Sequence, residues 1–255
     1  MLGKGLDLMR RLPFIAAGTL VLALGLAPAA SAQDETDPCL VLFGVASATI
    51  VGTDGPDRIR GTEGPDIILA GAGDDVITGL GGDDLICGGL GNDRVDAGDG
   101  NDAVVGDTGL SILLGNPAGM SVPGGDDQLL GGAGDDQLFG EGGSDLLRAG
   151  AGNDFATGQM GADTVVGDAG DDELFGGPAD DLVNGGDGND VVVGNFGNDV
   201  VLGGAGDDLL TGDNPAPAPE GPSFDVCNGQ QGDDFAVENS CEQLNQVEAT
   251  GPLPQ

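Results

Sequence analysis

Aspartate recurs at every ninth residue through two long stretches: Asp57, Asp66, Asp75, Asp84, Asp93 and Asp102, then Asp127, Asp136, Asp145, Asp154, Asp163, Asp172, Asp181, Asp190, Asp199 and Asp208. Carboxylates held in one phase within glycine-rich sequence are oxygen donors for a hard cation. Calcium takes about six to eight such oxygens, from carboxylates and backbone carbonyls together. Glycine stands two residues before each of these aspartates, with Ala179 the one departure. Because glycine reaches positive φ at no steric cost and brings no Cβ, such a turn can aim carbonyls at one point while the aspartate adds charge. Every aspartate of the series is therefore a candidate metal ligand.

The elements that must position these groups follow from the residue two places after each aspartate. It is aliphatic throughout: Ile59, Ile68, Ile77, Ile86, Val95, Val104, Leu129, Leu138, Leu147, Val165, Leu174, Val183, Val192, Val201 and Leu210, with Ala156 undersized. In a short strand, successive side chains point to opposite faces, so the middle residue of a triplet faces inward and its neighbours face solvent. The outer places hold Arg58, Gln128, Glu173 and Asn184 without evident preference. A turn and a three-residue strand repeated in fixed phase predict an all-β parallel solenoid, in which each repeat buries its apolar residue only by stacking on the next.

The stretch Gly203-Gly204-Ala205-Gly206-Asp207-Asp208-Leu209-Leu210-Thr211 reads onto a known motif. The chain resembles the haemolysin-type (RTX, repeat-in-toxin) calcium-binding repeat proteins over residues 52–105 and 122–211, with a shorter echo at 229–237. That resemblance implies a right-handed parallel β-roll, two nonapeptide repeats per coil, and calcium held between turns of successive coils. On that arrangement each ion takes aspartates eighteen residues apart, such as Asp57 and Asp75. Coils stacked at ~4.8 Å bring such carboxylates close enough to share a cation and too close to be tolerated without one.

Charge leads the same way. The chain carries 44 acidic residues against 7 basic ones, a net −37. Beyond the first 32 residues only Arg58, Arg60, Arg94 and Arg148 are positive. One aliphatic residue per nonamer is too thin a core to overcome that self-repulsion, so counter-cations belong to the fold. Nucleic acid is excluded as a partner by the same charge. An acidic, glycine-rich composition by itself describes a disordered tract, but disorder gives no reason for an aliphatic residue in phase with an aspartate.

At the N-terminus, Lys4, Arg10 and Arg11 precede an apolar stretch from Leu12 to Ala27, and Ala30-Ser31-Ala32 fits a cleavage site. Residues 1–32 are expected to be a signal peptide and the mature protein to be secreted, with no membrane span after cleavage. Residues 33–51, with Leu40-Val41-Leu42-Phe43, are expected to cap the first coil. The calcium-binding roll is expected over 52–211, a Pro-rich insertion over 212–228, a C-terminal capping repeat over 229–247 and a disordered tail over 248–255. Within the capping repeat Asp234 is an open candidate ligand, and Phe235 is available to cover the core. Four cysteines in an exported chain suggest two disulfides, and Cys39–Cys87 with Cys227–Cys241 would staple one end each.

Between the two stretches of repeats, residues 106–114 keep the register with Ser111 in the aspartate slot. They read as a further half-coil with a weakened site, which leaves a loop insertion at 115–121. Ala179, Ser111 and the bulky Gln159 place their individual sites in doubt.

Catalysis finds no support. The chain has no His, no Gly-x-Ser-x-Gly and no His-Glu-x-x-His, and it lacks Trp and Tyr, the usual sugar-stacking surfaces. No catalytic residue and no cofactor other than calcium is expected. An extracellular structural or adhesive spacer that binds a partner through loops or an end is the alternative reading, and the sequence names no such partner.

Overall fold

A computed structural model of the chain describes residues 48–107, 124–213, 225–232, 234–237, 241, 243–245 and 249–251. The expected signal peptide, most of the expected N-terminal cap, Cys39 and Ser111 lie outside the described residues.

The described strands alternate strictly between two parallel sheets, one of eleven strands and one of ten. The larger begins at Ile50–Val51 and continues through Ile67–Ala72 and Leu85–Leu90; the smaller begins at Arg58–Arg60 and continues through Val76–Gly81 and Arg94–Asp99. Residues eighteen apart pair, as Ile67 with Leu85 and Val76 with Arg94. This is the parallel β-roll with two repeats per coil. No helix occurs among the described residues, and none there is long and apolar enough to cross a membrane.

Between the sheets the inward residues stack into one core from Ile59 to Ala236, including all the aliphatic residues two places after the aspartates. Most strands bury the middle residue of the triplet and expose its flanks wholly or partly, as in Arg58–Arg60, where Ile59 is buried between two exposed arginines. The outer faces are less indifferent than the sequence suggests. On the larger sheet Leu69, Cys87 and Val105 face outward yet are buried. Phe139, Thr157 and Phe175 continue that row, and Phe155, in the neighbouring outer row, sets its ring between Phe139 and Phe175 with centroids 5.6 Å from each.

Two insertions interrupt the ladder, and the first is phased differently from the expectation. Arg94 pairs with Gln128 and Ala103 with Gln137, an offset of 34 that exceeds the usual 18 by sixteen residues. Residues 108–123 have that length, so the half-coil expected at 106–114 takes no place in the ladder. The reason lies in hydrogen bonding: the Asp93 N–H donates to the Asp127 carboxylate at 2.7 Å, and Ser111 has no carboxylate to offer instead. Gly106 and Asp107 open a turn that Gly124, Gly125, Asp126 and Asp127 complete.

The second insertion is shorter than 212–228. Leu209–Asp213 extends past its expected start, and Val226–Gln231 pairs with Val200–Ala205 before its expected end. Cys227 fills the aliphatic slot of this coil and is bonded to Cys241, with Cα atoms 5.8 Å apart. Cys87 is also disulfide-bonded. In the next coil Ala236, not Phe235, enters the core, because the register Leu209 to Phe235 sets Phe235 on the outer face. Residues Ala249–Gly251, expected to be disordered, form a strand paired with Phe235–Val237, which covers that edge of the larger sheet.

Seven described residues other than glycine hold positive φ, Ala179 at the largest value. Ala179 stands where the neighbouring turns have Gly170, Gly188 and Gly197, and it holds φ at +96°. A Cβ disfavours that region by about 1–2 kcal/mol, so Ala179→Gly should stabilise the fold by about 1 kcal/mol after the entropic cost of glycine. Urea denaturation measures this; an unmoved or lowered midpoint would show that the turn bears no such strain.

Candidate metal-binding site

Each turn has six residues, the last being the aspartate of the series. Its backbone N–H donates to the Oδ1 of the aspartate one coil further on: Asp75 to Asp93 at 2.9 Å, Asp136 to Asp154 at 2.7 Å, Asp172 to Asp190 at 2.9 Å. The aspartates thus form two inner rows, one along each edge of the roll. Their other oxygen is left over. The Oδ2 atoms of Asp75, Asp84, Asp93, Asp102, Asp127, Asp136, Asp145, Asp154, Asp163, Asp172, Asp181, Asp190, Asp208 and Asp234 are buried with no hydrogen-bond partner. A buried carboxylate oxygen costs several kcal/mol unless something positive meets it.

The space beside that oxygen suits a cation. At Gly131, the first residue of its turn, an added Cβ would lie 2.5 Å from both the Asp136 Oδ2 and the Ala149 carbonyl oxygen of the next coil. Calcium–oxygen distances are about 2.3–2.6 Å. Ala70, Ala97 and Ala149 fill the same place in their turns with a methyl group, so the approach is not uniform along the roll. Among the described residues no three His, Cys, Asp or Glu side chains converge as a metal cluster. Most donors of any site here must accordingly be turn carbonyls, as the glycine content requires.

Electrostatics measures the need for a cation. Burial pushes the Asp93 carboxyl up to about 6, partly offset by the Asp75 N–H and reinforced by the Asp75 and Asp74 charges. Asp136 is pushed up to about 8 and Asp181 to about 9, again by burial first, then by carboxylates in adjoining coils. Without a positive partner the inner rows cannot all ionise at neutral pH without cost.

The expected residues do not behave alike. Asp57 and Asp66 close the first two turns, where Thr53 and Thr62 donate their N–H and hydroxyl groups to Oδ2 at 2.6–2.9 Å. Their carboxylates are satisfied by the chain itself. The turn of Gln159 is intact, because Gln159 adopts φ +71° and Asp163 still accepts the Asp145 N–H at 2.8 Å.

Two further aspartates belong to the rows. Asp225 is fully buried and accepts the Asp199 N–H at 2.8 Å, and Asp234 accepts that of Asp208 at 3.2 Å. The pattern Asp225-x-Cys227, nine residues before Asp234 with an apolar residue two places on, was the signal for the first. Asp107 and Glu141, each second in its turn, are also fully buried. Asp107 accepts N–H groups from Gly125 and Gly142, both at 3.1 Å. No periodicity announces either residue.

A second, exposed row runs beside the inner one. It is formed by the residue just before each inner aspartate, and its hydrogen bonds point the opposite way. On one edge Asn101 N–H donates to Asp83, Asp135 to Asn101, Asn153 to Asp135, Asp171 to Asn153, Asn189 to Asp171 and Asp207 to Asn189, all at 2.8–3.1 Å. On the other edge the row is interrupted at Ala162.

Stacked Gly/Asp turns with buried, unmet carboxylate oxygens define a β-solenoid of the cation-binding kind. A family model described as RTX calcium-binding nonapeptide repeat (4 copies) matches residues 51–86, 81–113, 124–156, 157–192 and 184–214, more than half of the chain. The chain belongs to the RTX calcium-binding nonapeptide repeat family. No curated protein matches it.

Proposed function

We propose that the chain is an exported, non-enzymatic calcium-binding protein whose β-roll is completed by several calcium ions held between successive turns. The observation that carries this reading is the row of buried Oδ2 atoms without partners. The ligands we assign are the inner aspartates from Asp75 to Asp208 in the series, together with Asp225 and Asp234; Asp57 and Asp66 terminate the array. Bound calcium supplies the positive charge that lets these carboxylates stay ionised while buried. The chain's own part is to stack the turns, direct carbonyls inward and exclude water from Oδ2. The basic and apolar N-terminal segment supports export, and a fold that waits for calcium would form outside the cell, where calcium is abundant.

The test is far-UV circular dichroism on the mature chain, disulfides intact, titrated from chelator into calcium, with magnesium at matched ionic strength. A cooperative, calcium-selective gain of β-structure is expected. Equal responses to both metals, or none, would refute the reading.

A further inference from the structure

The exposed row from Asp83 to Asp207 is not used by the calcium reading above, on which this inference rests. Its hydrogen bonds link seven consecutive coils on one edge without a gap. The inner and outer rows have opposite polarity. In the inner row a turn donates its N–H to the following coil, as Asp172 does to Asp190; in the outer row it donates to the preceding coil, as Asp171 does to Asn153. The two adjacent peptide N–H groups of one turn are therefore clamped in both directions along the roll.

Composition adds a second observation. From Asp83 to Asp207 carboxylate and amide alternate strictly, so within that stretch no two outer carboxylates stand one coil, ~4.8 Å, apart. The amide also supplies a donor that a carboxylate lacks: Asn189 Nδ2 reaches Asp171 Oδ1 at 3.1 Å, and on the other edge Asn198 Nδ2 reaches Asp180 Oδ1 at 2.9 Å. Asp83, Asp135 and Asp171 each thereby accept from the turn of the next coil, and Asp135 and Asp171 face an amide on either side in their row. A carboxylate engaged in this way holds the turn; it is not a spare metal ligand.

We infer that the outer Asp/Asn row is a positioning ladder, which ties each turn to the one before it so that cation uptake at one inner aspartate sets the next turn in place. Two hydrogen bonds converge on Asp171 Oδ1 from Asn189. Charge and hydrogen bonding separate cleanly there, because Asp171→Asn removes the charge and keeps the acceptor, whereas Asp171→Ala removes both.

The experiment is calcium-induced folding of the full mature chain, followed by circular dichroism, for the parent, D171A, D171N, D172A and A162N. With hydrogen bonds of ordinary strength at stake, D171A should raise the calcium midpoint about three- to ten-fold and flatten the transition. D171N should stay within about two-fold of the parent, and A162N, which supplies the missing rung on the other edge, should lower the midpoint. D172A, which removes an inner ligand, should exceed D171A. If D171N is as impaired as D171A, the row acts by charge alone and the inference fails; it fails equally if D171A matches the parent. A parent that does not respond to calcium, or a D172A chain no worse than D171A, overturns the calcium assignment itself and the ladder with it.

Discussion

In chelator at pH 7.5 the mature chain should show no sheet structure, and lowering the pH to 4 should restore the β-roll spectrum with no calcium present. The sign follows from the inner rows. Asp93, Asp102, Asp154 and Asp163 are pushed from 3.8 up to about 6, Asp145, Asp172 and Asp208 to about 7, and Asp127 and Asp181 to about 9. In each case burial is the first cause. A raised carboxyl pKa means that the folded, metal-free chain binds protons more tightly than the unfolded one. Its contribution to stability is fully present below pH ~4 and is lost as the pH climbs, by about 6 for the first group and about 9 for the last.

The effect is large because every raised carboxyl acts in the same direction. A carboxyl raised from 3.8 to about 6 withdraws stability at any pH above 6. Two rows of such groups oppose a net folding stability of only ~5–15 kcal/mol. Calcium reverses the dependence, since protons then compete with the ion for Oδ2 and acid raises the calcium requirement. Circular dichroism at the two pH values, with and without chelator, checks both halves. A coil spectrum at pH 4 would show that protons cannot stand in for the cation, and a β-roll in chelator at pH 7.5 would show that the buried charge is tolerated unaided.

Period and phase made the roll legible because one residue type occupies each place in the nonamer: aspartate in the turn, an aliphatic residue in the core. The family model and the paired sheets bear out that much. What escaped depends on contacts between coils, which a single repeat does not contain. Asp171 and Asp172 are neighbours of the same type, yet one is exposed and bonded backward while the other is buried and bonded forward. Asp225 was hidden because Cys227 stands where an aliphatic residue is usual, and its sulfur fills the core while bonding Cys241. Thr53 and Thr62 could be read as ordinary turn residues until their hydroxyls were seen to satisfy Asp57 and Asp66. Residues 106–114 kept the nine-residue phase and still lost their place, since the slot requires a carboxylate as well as a spacing.

Removing the insertion and removing the Asp127 carboxylate should have opposite effects on the roll. Deleting residues 108–123 should leave a chain that folds with the parent's calcium response, because Asp107 would then join Gly124 and the turn from Gly106 to Asp127 would regain six residues. Shortening the excursion by sixteen residues should stabilise the fold by about 1–2 kcal/mol through loop closure. Asp127→Ala should cost about 3 kcal/mol, since it strands the buried N–H of Asp93 and removes a carboxylate from the row. Ser111→Asp should change nothing, as the Asp93 N–H already has Asp127 as its acceptor. Urea denaturation at saturating calcium ranks the three. A gain from Ser111→Asp, together with collapse of the deletion, would instead place residues 106–114 in the ladder and move every later strand to the opposite sheet, because adding one half-coil exchanges the two edges.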